Sequence, residues 1–188
     1  MKKIGVLGGT FDPPHLGHLI IAQEVKKSLN LGEIWFIPSN EPPHKAQATS
    51  SAKTRIKMLE LAINCNASFK INSIELDRIG KSYTIDTMNE LIKRHNETEF
   101  YFIIGADMVE YLPYWHKINE LLDLMTFVGV QRPGYNLESN YPIVTVDIPV
   151  IDISSTMLRK RLKNKQSVRY FIPEMVYHYI KEKRLYEY

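Results

Sequence analysis

The sequence predicts an α/β fold, a doubly wound parallel sheet with helices on both faces. Two observations carry that expectation. Short apolar runs alternate with helical patterns along all 188 residues, which is the signature of βαβ units. The residues of unusual chemistry also follow the apolar runs rather than precede them. A parallel sheet that binds its ligand beyond the carboxyl ends of its strands has this property.

The elements follow in order. Lys3–Leu7 reads as the first strand, closed by Gly8-Gly9-Thr10. A turn, Thr10-Phe11-Asp12-Pro13-Pro14, then leads to His15-Leu16-Gly17-His18 and a helical pattern over Leu16–Leu29. Strand, glycine turn and helix start form one half of a nucleotide-binding βα unit. Ile34–Ile37 is the second strand, and its exit from Pro38 to Lys45 is stiffened by Pro38, Pro42 and Pro43. A helix over Ser51–Asn64 and a strand over Lys70–Glu75 come next. Gly80 to Thr84 then opens a helix over Thr84–His95. Phe100–Ile104 exits at Gly105-Ala106-Asp107, and an aromatic cluster from Tyr111 to His116 precedes a helix over Lys117–Leu124. Thr126–Val130 and Ile143–Ile148 complete the strands, separated by the polar loop Asn136–Pro142. Helices over Ser154–Lys163 and Pro173–Lys183 close the chain. Right-handed crossovers would set these helices on both faces, a Rossmann-like arrangement. With no repeat and no linker, a single domain over residues 1–188 is expected, its C-terminal helical part at about 154–188.

Composition narrows the class without deciding the function. Apolar residues make up 44% and charged residues 24%, as in ordinary globular chains. The net charge of +3 suits phosphorylated small molecules as well as nucleic acid. No apolar stretch reaches the roughly 18 residues of a membrane span, and the short N-terminal run is no signal peptide. The one cysteine, Cys65, cannot form an internal disulfide and sets the expectation of a cytoplasmic location. Its spacing from Met58, Leu61 and Ala62 reads as a core position on a helix.

Several residues at the strand exits carry candidate chemistry, each with a plainer alternative. Gly8 and Gly9 give a backbone room to approach a ligand, or simply make a tight turn. Their spacing fits neither G-x-G-x-x-G nor the P-loop. His15 and His18, three apart at a helix start, share a face. No cysteine or carboxylate nearby gives them metal-ligand company. They suit phosphate instead, as hydrogen-bond donors that carry charge when protonated, with Gly17 allowing close approach. Asn40, His44 and Lys45 stand over the same rim, Lys45 either as a phosphate partner or as a solvated lysine. Ser154-Ser155-Thr156 caps a helix, yet offers more hydroxyls than a cap needs, with Arg159 one turn on. Asp107 after Gly105 either accepts from ribose or base donors or caps a turn at Met108–Leu112. Ser82 or Thr84 caps the next helix, which also makes a small carboxylate site. Trp115 either stacks a flat ligand or packs in the core, and Trp35 is core. The sum is a polyphosphate cradle without a nucleophile or paired carboxylates. Such a site positions and neutralises, which fits phosphoryl or nucleotidyl transfer.

His15-Leu16-Gly17-His18, with Ile153 to Arg159 reading I-S-S-T-x-x-R, resembles the nucleotidyltransferase superfamily marked by [HT]-x-G-H. GGTFDPPHLGHL at 8–19, IPSNEPPHK at 37–45, GKSYTIDT at 80–87, IIGADM at 103–108 and the Trp115 region are similar to bacterial nicotinate-mononucleotide adenylyltransferases. The resemblance covers nearly the whole chain. It implies adenylyl transfer from ATP to nicotinate mononucleotide, giving nicotinate adenine dinucleotide and pyrophosphate in NAD synthesis. It assigns His15, His18, Lys45 and Arg159 to catalysis on the phosphates. Gly8, Gly9, Thr10 and Phe11 would line the phosphate path. Ser155 with Arg159 would hold the outgoing pyrophosphate. Gly105 and Asp107 would contact adenosine, Thr84 the nicotinate carboxylate, and Trp115 the pyridine ring. Mg2+ would accompany ATP, with no protein metal ligands. The rivals are a relative using nicotinamide mononucleotide or phosphopantetheine, and a non-catalytic nucleotide-binding regulator. The complete histidine pair argues against a regulator, and only the mild basic charge and the basic stretch Arg159–Lys165 speak for RNA.

Overall fold

The computed structural model describes residues 1–40, 48–78, 80 and 82–187. Six parallel strands form its sheet: β1 (Lys2–Gly9), β2 (Glu33–Pro38), β3 (Phe69–Ile71), β4 (Thr98–Gly105), β5 (Thr126–Val130) and β6 (Ile143–Val146). Their order is β3-β2-β1-β4-β5-β6. Val6 pairs with Trp35 on one side and Phe102 on the other. The chain thus winds outward from β1 in one direction and from β4 in the other. The crevice where the order reverses lies at the carboxyl ends of β1 and β4, where such folds bind their ligands.

Side-chain alternation along the strands builds two cores. On one face Leu7, Phe36 and Val128 meet α1 (Leu16–Ser28), α2 (Ala52–Ile63), α6 (Ser155–Lys163) and α7 (Glu174–Lys183) through Val25, Met58, Leu158 and Val176. On the other, Val6, Trp35, Phe102 and Ile104 meet α3 (Thr84–Arg94), α4 (Ala106–Tyr111) and α5 (Ile118–Leu124) through Met88, Val109 and Leu121. Neighbouring residues such as Leu7 and Val6 fall on opposite faces, as the pleat requires. Crossovers running in opposite directions along the sheet place their helices on opposite faces.

The structure departs from expectation at several elements. β3 stops at Ile71 instead of Glu75, because the Asn72 Oδ1 takes the Ile74 N–H at 3.1 Å and turns the chain out of the sheet. β6 ends at Val146, short of Ile148. The segment after β4 folds as α4 and a 3-10 turn at Leu112–Tyr114, too short for periodicity to betray. Cys65 is exposed, since α2 ends at Ile63 and the residue falls beyond the register that buries Met58 and Ala62. Among the described residues no helix is long and apolar enough to cross a membrane.

Candidate active site

The site is built outward from the exit of β1. A Cβ on Gly9 would meet three Phe11 ring atoms at 3.0, 3.1 and 3.3 Å. Gly9 therefore makes room for Phe11 rather than for a ligand, whereas Gly8 has only Phe102 near it, at 3.6 Å. Phe11 takes a left-handed backbone (φ 51°), unusual for a residue other than glycine. Its buried ring is fixed against Phe36 at 5.7 Å and edge-on to His18 at 4.9 Å.

His15 is the N-cap residue of α1 and is buried. Its ring stacks on that of His18, centroids 3.7 Å apart. Its backbone N–H donates to His18 Nδ1 at 3.1 Å. A side chain at Gly17 would come within 3.0 Å of His15 Nδ1, so this glycine seats the His15 ring as well as opening the helix mouth. His15 Nδ1 is buried and has no hydrogen-bond partner among the described residues. Burial first, then the positive charge of Arg132, lowers the His15 pKa from 6.5 to about 4. At neutral pH His15 is thus an uncharged donor and acceptor, not a cation.

The mouth of α6 is joined directly to this turn. The Arg159 guanidinium donates to the Asp12 carbonyl at 2.8 Å and to Thr156 Oγ1 at 3.4 Å. Ser155 Oγ donates to the Pro13 carbonyl at 2.9 Å, while Ser154 caps the helix by accepting from the Met157 N–H at 3.2 Å. Arg55 braces the turn from below, donating to the Thr10 carbonyl at 2.9 Å. Thr10, Phe11, His15, His18, Ser154, Ser155 and Arg159 thus gather in one place.

The remaining candidates lie along the same rim. Gly105 is the N-cap residue of α4, and a Cβ there would sit 2.6 Å from Asp107 Oδ1. The Asp107 carboxylate pairs through Oδ2 with Arg132 Nη1 at 2.5 Å. Asn40 donates to the Arg78 carbonyl at 2.8 Å, tying the β2 exit to the loop after β3. The N-cap of α3 is neither Ser82 nor Thr84 but Tyr83, which makes no side-chain cap bond. Ser82 is buried and takes Arg78 instead, at 3.4 Å, and Thr84 is the first residue of the helix. The Trp115 ring packs edge-on against Phe102 at 5.8 Å and Phe127 at 5.7 Å. Lys45 and His44 lie outside the described residues. Among the described residues no three His, Cys, Asp or Glu side chains converge as a metal site.

This arrangement has clear relatives. Residues 6–161 match the cytidylyltransferase-like family. A probable nicotinate-nucleotide adenylyltransferase of Oceanobacillus iheyensis is 57% identical over 186 residues, covering 99% of this chain and 97% of the relative. One from Bacillus cytotoxicus is 56% identical over the full length of both. The chain belongs to the cytidylyltransferase-like family and, within it, to the nicotinate-nucleotide adenylyltransferases. A solved nicotinic acid mononucleotide adenylyltransferase of Plasmodium falciparum, complexed with NaAD, shares the fold. Its TM-score is 0.83 at 22% identity, over 100% of this chain and 98% of that one.

In this adenylyltransferase the sequence pointed to the side chains facing the rim and missed those that hold them. Asp12 stands inside the histidine turn but reads as part of a Pro-rich loop. Arg132 lies beyond a strand exit, the one signal that marked it. Arg55 sits on α2 and Arg78 in the loop after β3, and nothing in their local sequence sets them apart.

Proposed function

We propose that the chain joins ATP to nicotinate mononucleotide, releasing pyrophosphate and forming nicotinate adenine dinucleotide. The observation that carries this reading is the stacked His15–His18 pair held against Arg159 through the Asp12 carbonyl. A phosphate oxygen of the mononucleotide attacks the α-phosphorus of ATP. The bond from that phosphorus to the bridging oxygen of the β-phosphate breaks, and pyrophosphate leaves with the electron pair. Such a step needs alignment and charge stabilisation more than covalent help. His15, neutral above about pH 4, donates a hydrogen bond to the phosphates, and His18 works beside it. Positive charge comes from Arg159 and Lys45 and from the helix dipoles of α1 and α6. Gly8 and Thr10 leave room for the phosphate path, Ser154 and Ser155 border the leaving group, and Asn40 overhangs it. Gly105 and Asp107 take adenosine. Thr84 and the N–H groups opening α3 take the nicotinate carboxylate, with Trp115 bordering the ring. Mg2+ would accompany ATP, held mainly by the phosphates and water. Residues 1–188 act as one domain in a reducing cytoplasm, without nucleic acid.

Pyrophosphate release measured with ATP and nicotinate mononucleotide, nicotinamide mononucleotide or phosphopantetheine tests the reading. A carboxylate at the α3 mouth forms stronger hydrogen bonds than an amide. The expected outcome is therefore a preference for the nicotinate substrate of roughly tenfold or more in kcat/KM. Equal values would sink the substrate assignment. His18→Ala should lower kcat by roughly 100-fold or more, the scale of one lost transition-state donor. A variant as fast as wild type removes His18 from the chemistry.

A further inference from the structure

The turn that carries His15 stands on a buried polar knot outside the reacting groups. Its centre is the Asp12 carboxylate, 1% exposed. Oδ2 accepts the N–H groups of Thr49 at 2.7 Å and Ser50 at 3.1 Å. Oδ1 accepts a hydrogen bond from the Tyr186 hydroxyl. Tyr186 follows α7, is 7% exposed, and lies 174 residues from Asp12 along the chain. Its hydroxyl also accepts from Ser50 Oγ at 3.0 Å and lies 3.8 Å from the Met58 sulfur. On the opposite side of the same residue, the Asp12 carbonyl accepts Arg159.

A carboxylate this buried persists only if its oxygens are met. Burial, then the facing Asp12 carboxylate, raises the Tyr186 phenol above its ordinary range, so it remains the donor at neutral pH. A satisfied buried network favours one arrangement over its neighbours. The ring alone needs no hydroxyl to fill this pocket.

The geometry points to Tyr186 as a positioning residue: its hydroxyl fixes the Asp12 carboxylate and so holds the His15 turn against Arg159 and α6. The kinetic consequence rests on the adenylyl-transfer reading above, whereas the structural consequence does not.

Tyr186→Phe keeps the ring and removes only the hydroxyl. The comparison variant is Leu185→Ala, which loosens the same core without touching Asp12. Tyr186→Phe should lower kcat roughly 10- to 100-fold, the scale of a small misplacement of aligned groups. Its KM for the mononucleotide should stay near wild type. Leu185→Ala should lower Tm and leave kcat intact. Proton NMR of the His15 ring provides a readout independent of activity. Its titration should move in Tyr186→Phe from about 4 toward the ordinary 6.5, as water reaches a loosened ring, and stay put in Leu185→Ala. Wild-type kcat and an unmoved His15 titration in Tyr186→Phe overturn the inference. So does a loss that Leu185→Ala reproduces at equal loss of Tm. Should the wild type release no pyrophosphate with any mononucleotide, the functional reading fails while the NMR comparison still decides the role of Tyr186.

Discussion

His15 shows how one side chain couples the site to stability. The folded chain holds its pKa near 4, against 6.5 for an ordinary histidine. Between those values the unfolded chain binds a proton at this position and the folded chain does not. Its contribution is thus complete above about pH 6.5, falls as the pH drops toward 4, and levels off below that. At about 1.4 kcal/mol per pH unit, the full drop amounts to roughly 3 kcal/mol. His15→Gln should therefore lose less stability than wild type between pH 7.5 and pH 4.5, a difference readable from paired urea unfolding curves. Carboxylates titrate in both proteins and cancel in the comparison. Parallel losses would mean that His15 is not desolvated in solution. At this scale the sequence was informative about which residues face the rim, since His15, His18 and Arg159 stand in recognisable spacing. It read Gly9 and Gly17 as room for a ligand's approach and missed the rings they accommodate. Their missing side chains serve the Phe11 and His15 rings, contacts that exist only after the turn has closed.

The α3 helix shows what a single connecting residue does for an element. The Arg78 guanidinium donates to Thr87 Oγ1 at 3.1 Å and to the Asp86 carbonyl at 3.0 Å, and pairs with Glu90. Its own carbonyl accepts from Asn40. Arg78 therefore bolts the first turns of α3 to the exit of β2. Thr87 also donates to Glu75 at 3.0 Å, whose carboxyl burial pushes above the usual range. Arg78→Ala should raise KM for the mononucleotide several-fold and leave KM for ATP nearly unchanged, because it is α3 that the Arg78 guanidinium holds. Initial rates over both substrates separate the two effects. An equal rise in both KM values would show that α3 does not serve the mononucleotide half. The helix itself was plain from its period, yet its start was not. A hydroxyl at Ser82 or Thr84 looked like the cap, and the burial of Ser82 beneath Arg78 moved the boundary to Tyr83. Asn72 shortened β3 by the same kind of local competition between side chain and backbone.

Across the whole molecule, alternation of apolar runs and helical periods was enough to foretell the parallel sheet and its two covered faces. Periods of 2 and 3.6 are local properties that survive in a one-dimensional reading. The ties that assemble the site are not local. Arg159 reaches Asp12 across 147 residues, and Tyr186 reaches it across 174, so only the folded order of the strands reveals them. This has a thermodynamic consequence. The proposed ATP cradle is shared between the turn after β1 and the mouth of α6, which are near the two ends of the chain. A ligand held by both must bind the folded state and has no counterpart in the unfolded one. ATP at about 100 times its Kd then stabilises by roughly 2.7 kcal/mol. For a chain of this size that corresponds to a rise in Tm of roughly 5–10 °C. Arg159→Ala removes one of the two ties between the halves, leaving Ser155 on the Pro13 carbonyl, and removes a phosphate partner. It should lose most of the ATP-induced rise at the same ATP concentration, beyond any drop in its own ligand-free Tm. Scanning calorimetry with and without ATP measures both quantities. If the variant keeps the full rise, ATP is held by the β1 turn alone and α6 is only a neighbour of the site.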